Sequence, residues 1–208
     1  MTLAVAIDAK MLEITVWTRG VTLAKEARDT ATLLAKAGKL EGKFTQSFDN
    51  YVDLPDRVGV ACKSYARISP EPIEAYYEYE NYRPDIVVLA EETMVKGHDF
   101  LKGAKDGCVV VINSARPLEK LIKWIPEDKR KKVSKFATID ANSLNKTVLL
   151  TFDGTEGSGD DTTIGAGVGA TIAGAVAKAT GCVKLESLLG VAVDKDAVQK
   201  GWDNAKVQ

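Results

Sequence analysis

Apolar positions recur along this chain with two alternating periods. Residues 13–18 alternate polar with apolar, largely β-branched side chains, the period-two pattern of a strand. After a turn at Arg19 and Gly20 the period lengthens. Ala27, Ala31, Leu34 and Ala35 then share one face of a helix predicted over 24–37, with Gly38 as its stop. Residues 43–48 form a second strand candidate, and 49–56, which contain Pro55, a polar loop. Residues 59–68 alternate again, as a half-buried strand would, until 69–72 break the pattern. Two later segments, 85–90 and 108–113, are almost continuously apolar, which suits central parallel strands covered on both faces. Between and after them, 100–102 predict a short helix ending near Gly103, 118–125 connecting turns, and 136–140 a short strand. Residues 146–152 fit a strand or the start of the next helix, and 154–161 a flexible loop. Residues 162–180 predict a long helix rich in Gly and Ala, stopped by Gly181, and 184–200 carry helical periodicity. Strands that alternate with helices imply an α/β fold. The expectation is a single domain over 1–208, with a mainly parallel sheet flanked by helices in a Rossmann-like three-layer arrangement.

Composition narrows the function classes. The chain has 208 residues, enough for one sizeable core, and a formal net charge of −1. That balance supplies no strong field for nucleic acid or an anionic membrane. The longest apolar runs have strand length, far short of a bilayer span. The first residues, MTLAVAIDAK, lack the basic start and cleavage pattern of a secretory signal, so a mature cytoplasmic chain is expected. Cys62, Cys108 and Cys182 are odd in number, widely spaced and without a CxxC pair. They argue against a disulfide scaffold and against a zinc or iron–sulfur site within this chain; reduced, partly buried thiols are the expectation. The single histidine, His98, lies in the polar, loop-like VKGHDFLKG. A metal site or a Ser-His-Asp triad on this chain would have to use it, and a surface histidine is the plainer reading.

Other segments invite chemical readings. The first strand–turn–helix is the phosphate-binding position of such folds, because a helix N-terminus offers free N–H groups. Its turn has one glycine where the dinucleotide pattern GxGxxG needs several, so it is no dinucleotide site. Arg19, Gly20 and Thr22 remain as candidates for an anion or coenzyme A contact, beside the reading of a plain connection. Gly165, Gly167, Gly169 and Gly174 fall inside the predicted long helix, where small residues suit close helix packing or a subunit seam rather than a ligand. Residues 75–82, AYYEYENY, alternate aromatics with acids. This is either an interface strand or an amphipathic strand or loop over the core, and its acids disfavour single-stranded nucleic acid. The charged run 127–132 reads as a solvated face, with a partner contact as the alternative. The carboxylate pairs Glu91-Glu92 and Asp160-Asp161 have no base or metal ligand beside them, and no nucleophile elbow or Walker loop occurs.

Seven segments in series carry a family likeness. They are EITVWTRG at 13–20, TLLAKAG at 32–38, DRVGVACKSYARIS at 56–69, RPDIVVLAEETMV at 83–95, GCVVVINSARP at 107–117, IDANSLN at 139–145, and GAGVGATIAGAVAKATGCVKLESL at 165–188. In this order the chain resembles the gamma subunit, or gamma domain, of 2-oxoacid:ferredoxin oxidoreductases of the pyruvate type. It departs from them at the first turn, where TRGVTL stands in place of a GRGGQG pattern and only Arg19 and Gly20 match. The resemblance implies a complex that oxidatively decarboxylates a 2-oxoacid to an acyl-CoA. Thiamine diphosphate, magnesium and 4Fe–4S clusters are then expected on alpha, beta and ferredoxin-like partner subunits, with no cofactor on this chain. Coenzyme A would be the cosubstrate, and ferredoxin, or NAD through a flavin subunit, the acceptor. The glycine-rich helix and the aromatic segment are the expected interfaces. The alternative is a free-standing module that binds coenzyme A or a nucleotide.

Overall fold

The structure is a computed structural model that describes residues 11–19, 24–50, 60–74, 76–145 and 167–208. In chain order the first elements are β1 (Leu12–Arg19), α1 (Ala24–Leu40), β2 (Phe44–Asp49), β3 (Ala61–Ser69), β4 (Ile86–Leu89) and a 3₁₀ turn (Glu92–Val95). They are followed by β5 (Cys108–Asn113), α2 (Leu118–Ile122), α3 (Glu127–Arg130), β6 (Val133–Ile139) and α4 (Ala141–Leu144). The C-terminal part holds α5 (Val168–Thr180), α6 (Leu185–Val191), α7 (Lys195–Asn204) and β7 (Lys206–Val207).

The strands form one sheet in the order β2-β3-β1-β4-β5-β6-β7. Its centre, β1-β4-β5-β6, is parallel. The flanks are antiparallel: β3 on β1, β2 on β3 and β7 on β6. The predicted α/β architecture thus holds, with a parallel core inside a mixed sheet. β4 is buried at all four residues, as its unbroken apolar sequence requires. Alternate side chains feed two cores. Ile14, Val16, Ile68, Ile86, Val88, Val111 and Ala137 pack beneath α1, α5, α6 and α7. Val87, Leu89, Val110 and Ile112 face Met94, Phe100, Leu121 and Ile125 on the other side. Each such aliphatic side chain contributes about 1.5–3 kcal/mol on burial. The second covering layer is built of turns and short helices rather than long ones.

Several local expectations change. α1 runs past Gly38 to Leu40, and the chain turns at Gly42, where φ is +79°. Gly38 has a packing role instead: a Cβ there would stand 3.0 Å from Ile68 Cγ2 and 3.1 Å from Thr45 Cγ2. β3 is not half-buried, because both its faces are covered from Ser64 to Ser69. Of the alternatives for 75–82 the described part takes the loop, and 100–103 form a turn rather than a helix. Residues 118–122 form a helix where turns were expected. The tail splits into α6 and α7, and the Asp194 side chain accepts the Ala197 N–H at 2.9 Å to start the second. The short β7 was not anticipated. The expectations for 146–152 and 154–161, and the first part of the predicted helix over 162–180, lie outside the described residues.

α5 settles the meaning of its described glycines. It lies between α1 and α7, with nearly every residue buried. A Cβ on Gly169 would stand 2.8 Å from Asp29 Cβ and 2.9 Å from the Glu26 carbonyl oxygen. A Cβ on Gly174 would overlap the carbonyl of Val198, and one on Gly201 that of Thr171. Their absence lets Thr30 Oγ1 donate to Gly169 O and Thr171 Oγ1 to Ala197 O, each at 3.0 Å. The close packing is therefore internal to the chain, and the described part of this helix has no face left for a subunit seam.

Candidate functional site

In an open α/β sheet, ligands collect outside the carboxyl ends of parallel strands where successive connections diverge. Here the divergence lies between β1 and β4. The chain leaves β1 toward α1 and the β2–β3 flank, and leaves β4 toward β5 over the opposite face. Arg19 closes β1, and Glu91, Glu92 and Thr93 follow β4 after Ala90.

The two ends meet through side chains. Arg19 Nε donates to Thr93 Oγ1 at 2.8 Å and stands 3.3 Å from Glu91 Oε2. Thr93 in turn donates its hydroxyl and its backbone N–H to the Glu91 carboxylate. A second cluster lies one strand further on. Arg116 Nε stands 3.2 Å from Glu92 Oε1, Ser114 Oγ donates to Glu92, and the Arg116 N–H donates to Ser114 Oγ at 2.9 Å. Asn113 fixes the edge beneath them, donating to Ala90 O at 3.0 Å and accepting from Ala141 N at 2.9 Å. Beside this cluster opens a groove of about 490 Å³, lined among others by Arg116, Asp140, Ser143 and Lys206. The adjacent carboxylates Glu91 and Glu92 thus diverge to separate arginines instead of sharing one task.

These clusters present guanidinium groups, hydroxyls and main-chain amides, a set that can orient an anionic or polar surface. Ion pairs this exposed are worth about 0–1 kcal/mol, so a competing anion can exchange with Glu91 or Glu92 at small cost. Ser114 has a carboxylate beside it, but that carboxylate is already engaged by Arg116, and no imidazole completes a relay. His98 lies elsewhere, its ring centroid 6.3 Å from that of Trp17. The cysteines are free and buried. Burial pushes the Cys108 and Cys182 thiols above the usual range, which disfavours the thiolate that nucleophilic or metal-ligating chemistry needs. No group of three His, Cys, Asp or Glu side chains among the described residues is placed to hold a metal ion. These donors do not fit an iron–sulfur cluster.

Of the residues singled out from sequence, Arg19 is placed at the divergence point, tied to Glu91 and Thr93; Gly20 and Thr22 lie outside the described residues. Thr93, Ser114 and Arg116 were not anticipated. Their signal was positional, since each lies in the short segment that follows an unbroken apolar run that becomes a central strand.

The sequence model described as pyruvate ferredoxin/flavodoxin oxidoreductase matches residues 29–202. The chain belongs to this family. A pyruvate/ketoisovalerate oxidoreductase common subunit gamma from Thermococcus litoralis is 32% identical over 197 residues, 94% of this chain and 92% of the relative. The subunit of the same description from Pyrococcus furiosus is 30% identical over equal shares. Among solved structures, the pyruvate oxidoreductase subunit PORC of Thermotoga maritima superposes with a TM-score of 0.67 at 21% identity, covering 96% of this chain and 99% of that one. A 2-oxoglutarate:ferredoxin oxidoreductase from Magnetococcus marinus, solved with 2-oxoglutarate, coenzyme A and succinyl-CoA bound, superposes with a TM-score of 0.55 at 15% identity. There the match covers 93% of this chain but 29% of the larger one. Within this oxidoreductase family, the chain thus matches proteins of its own length that are gamma subunits, and part of a longer chain.

Proposed function

We propose that the chain, a single domain over 1–208, is the gamma subunit of a thiamine-diphosphate-dependent 2-oxoacid:acceptor oxidoreductase. The complex would convert a 2-oxoacid and coenzyme A to an acyl-CoA, with electrons passing to ferredoxin or, through a flavin subunit, to NAD. The observation that carries this reading is the match to gamma subunits along almost the whole of both chains. Thiamine diphosphate would supply the carbanion chemistry from partner subunits, with 4Fe–4S clusters on a ferredoxin-like partner. This chain's own part is to shape and position. Its rigid sheet presents Arg19, Thr93, Ser114 and Arg116 on one edge, where they would contact a neighbouring subunit or the polar part of a substrate. No described helix is long and apolar enough to cross a membrane, and a cytoplasmic complex is proposed.

The purified chain should contain neither thiamine nor iron, and it should be retained at fixed stoichiometry when co-expressed with tagged alpha, beta and ferredoxin-like subunits. Retention with micromolar or tighter binding of thiamine diphosphate by the isolated chain would overturn the division of labour. Failure of retention would overturn the assignment itself. Calorimetry of the isolated chain with coenzyme A and NAD separates this reading from a free-standing binding module, for which micromolar affinity is expected.

A further inference from the structure

The loop between β3 and β4 leaves four tyrosines largely in water: Tyr76, Tyr77, Tyr79 and Tyr82 are 52, 73, 80 and 60% exposed. They make up four of the ten large apolar side chains so exposed among the described residues, within seven positions of sequence. A mobile loop could carry such residues at random, but this one is fastened from below. Arg67, fully buried in β3, lies over the Phe48 ring at 4.7 Å. It donates to Asn81 Oδ1 at 2.9 Å, to Glu80 O at 2.8 Å and to Gln46 Oε1 at 3.1 Å. Asn81 passes the tie on to Ile14 O at 3.0 Å, and Gln46 donates to Tyr76 O at 3.2 Å. At the far end the Tyr82 carbonyl rests on Gly103, where any Cβ would overlap it. A buried guanidinium and two buried or half-buried amides thus fix a loop whose four tyrosine rings stay exposed among the described residues, while Glu80 pairs with Lys63 at 2.5 Å and Glu78 stands 3.9 Å from Arg67.

Charge and shape say what the ridge fits. Residues 71–82 hold four carboxylates, Glu71, Glu74, Glu78 and Glu80, and no Lys or Arg. Beside Tyr82 opens a hollow of about 260 Å³, lined among others by Thr15, Trp17, Phe100 and Lys102. The Thr15 hydroxyl in its lining is buried and has no hydrogen-bond partner among the described residues. Tyrosine is enriched at the energetic centres of interfaces, where a rigid ring with a polar tip is buried at low entropic cost. Full burial of the four rings would cover on the order of 500 Å², over half of the ~800 Å² that each side of a standard interface contributes.

Resting on the gamma-subunit reading above, we propose that this tyrosine ridge is the docking surface for another subunit of the same complex. That subunit presents Lys or Arg side chains to the acidic rim and inserts one side chain, apolar with a hydrogen-bonding tip, into the hollow over Thr15. The test is co-purification of the full complex through tagged partner subunits, with the chain wild type, Tyr77→Ser/Tyr79→Ser, or Glu71→Lys/Glu74→Lys. At least a tenfold loss of retention is expected for both variants, with the thermal midpoints of the isolated variants within about 2 °C of wild type. Retention of both variants at the wild-type level overturns the proposal. So does ultracentrifugation that finds the isolated wild-type chain dimeric and the tyrosine variant monomeric, since a second copy is then the occupant. Should the tyrosine variant lose stability, the charge-reversed pair, which lies wholly on the surface, decides the outcome. Absence of wild-type retention would instead defeat the gamma-subunit assignment, a result readable apart from the variants.

Discussion

One methyl group added at Gly201 sets two effects of opposite sign against each other. In an exposed helix Gly→Ala stabilises by about 1 kcal/mol, because alanine loses less backbone entropy on folding. At Gly201 the new carbon would overlap the Thr171 carbonyl oxygen and stand 2.7 Å and 2.9 Å from the carbonyl carbon and Cα of the same residue. All three are backbone atoms of a buried helix, so no side chain can swing aside. α5 and α7 must separate, and the bond from Thr171 Oγ1 to Ala197 O at 3.0 Å stretches with them. Overpacking of this kind costs about 1–3 kcal/mol and the lost hydrogen bond about 1 kcal/mol more, which together outweigh the gain in propensity. The expected net loss is about 1–3 kcal/mol, a fall of roughly 3–10 °C in the thermal midpoint for a chain of this size. Gly190→Ala is the matched control, since among the described residues its Cβ would meet only Leu40 Cδ2, the end of a flexible side chain, at 3.0 Å. It should be neutral or stabilising. Differential scanning calorimetry on both variants checks the pair. A Gly201→Ala protein as stable as wild type would refute the close α5–α7 contact.

Arg67→Met should lower stability by about 3–5 kcal/mol, because it strips partners from Asn81, Gln46 and the Glu80 carbonyl at once; faster amide exchange across 76–82 would accompany it, and an unchanged loop would contradict the staple. Glu26 has its carboxyl raised above the usual range by burial, with Asp29 adding to the effect against an opposing backbone hydrogen bond and Lys25. As pH rises through the ordinary glutamate value the unfolded chain ionises first, so stability falls until the folded carboxyl has ionised as well. Glu26→Gln should therefore melt higher than wild type at pH 7, with the gap closing below about pH 4; a gap that persists in acid would count against burial as the cause. The buried thiols of Cys62, Cys108 and Cys182 should resist an aromatic disulfide reagent in the folded protein and react together on unfolding. A fast-reacting thiol in the native state would show that one of them is accessible.

The centre of the fold was legible because its sequence is extreme. The apolar runs of β4 and β5 admit few environments other than a sheet covered on both faces, and the spacing in α1 admits one buried stripe. What escaped was decided by contacts remote in sequence. Gly38 looked like a helix stop because glycine commonly is one, yet it is glycine because Ile68 and Thr45 crowd it. Arg67 looked like the polar half of an alternating strand, and its burial depends on the loop folded over β3 together with Gln46 and Phe48 of β2. The aromatic–acidic alternation of 75–82 has strand periodicity, but Arg67 and Gln46 take up the Glu80 and Tyr76 carbonyls from the side and hold the described part, 76–82, as a loop. At the candidate site Arg19 was legible from its place after the first strand. Thr93, Ser114 and Arg116 were not, because their relation depends on which strands lie side by side, and that order is a property of the sheet.

The role proposed for this chain is that of one subunit of a 2-oxoacid oxidoreductase. It is tested most directly by assembling the remaining subunits without it and titrating the purified chain back while following 2-oxoacid- and coenzyme-A-dependent reduction of the electron acceptor. Little or no turnover is expected in its absence, and a saturable rise that levels off at a fixed stoichiometric ratio as it is added. Full activity without the chain, unchanged by its addition, would contradict it.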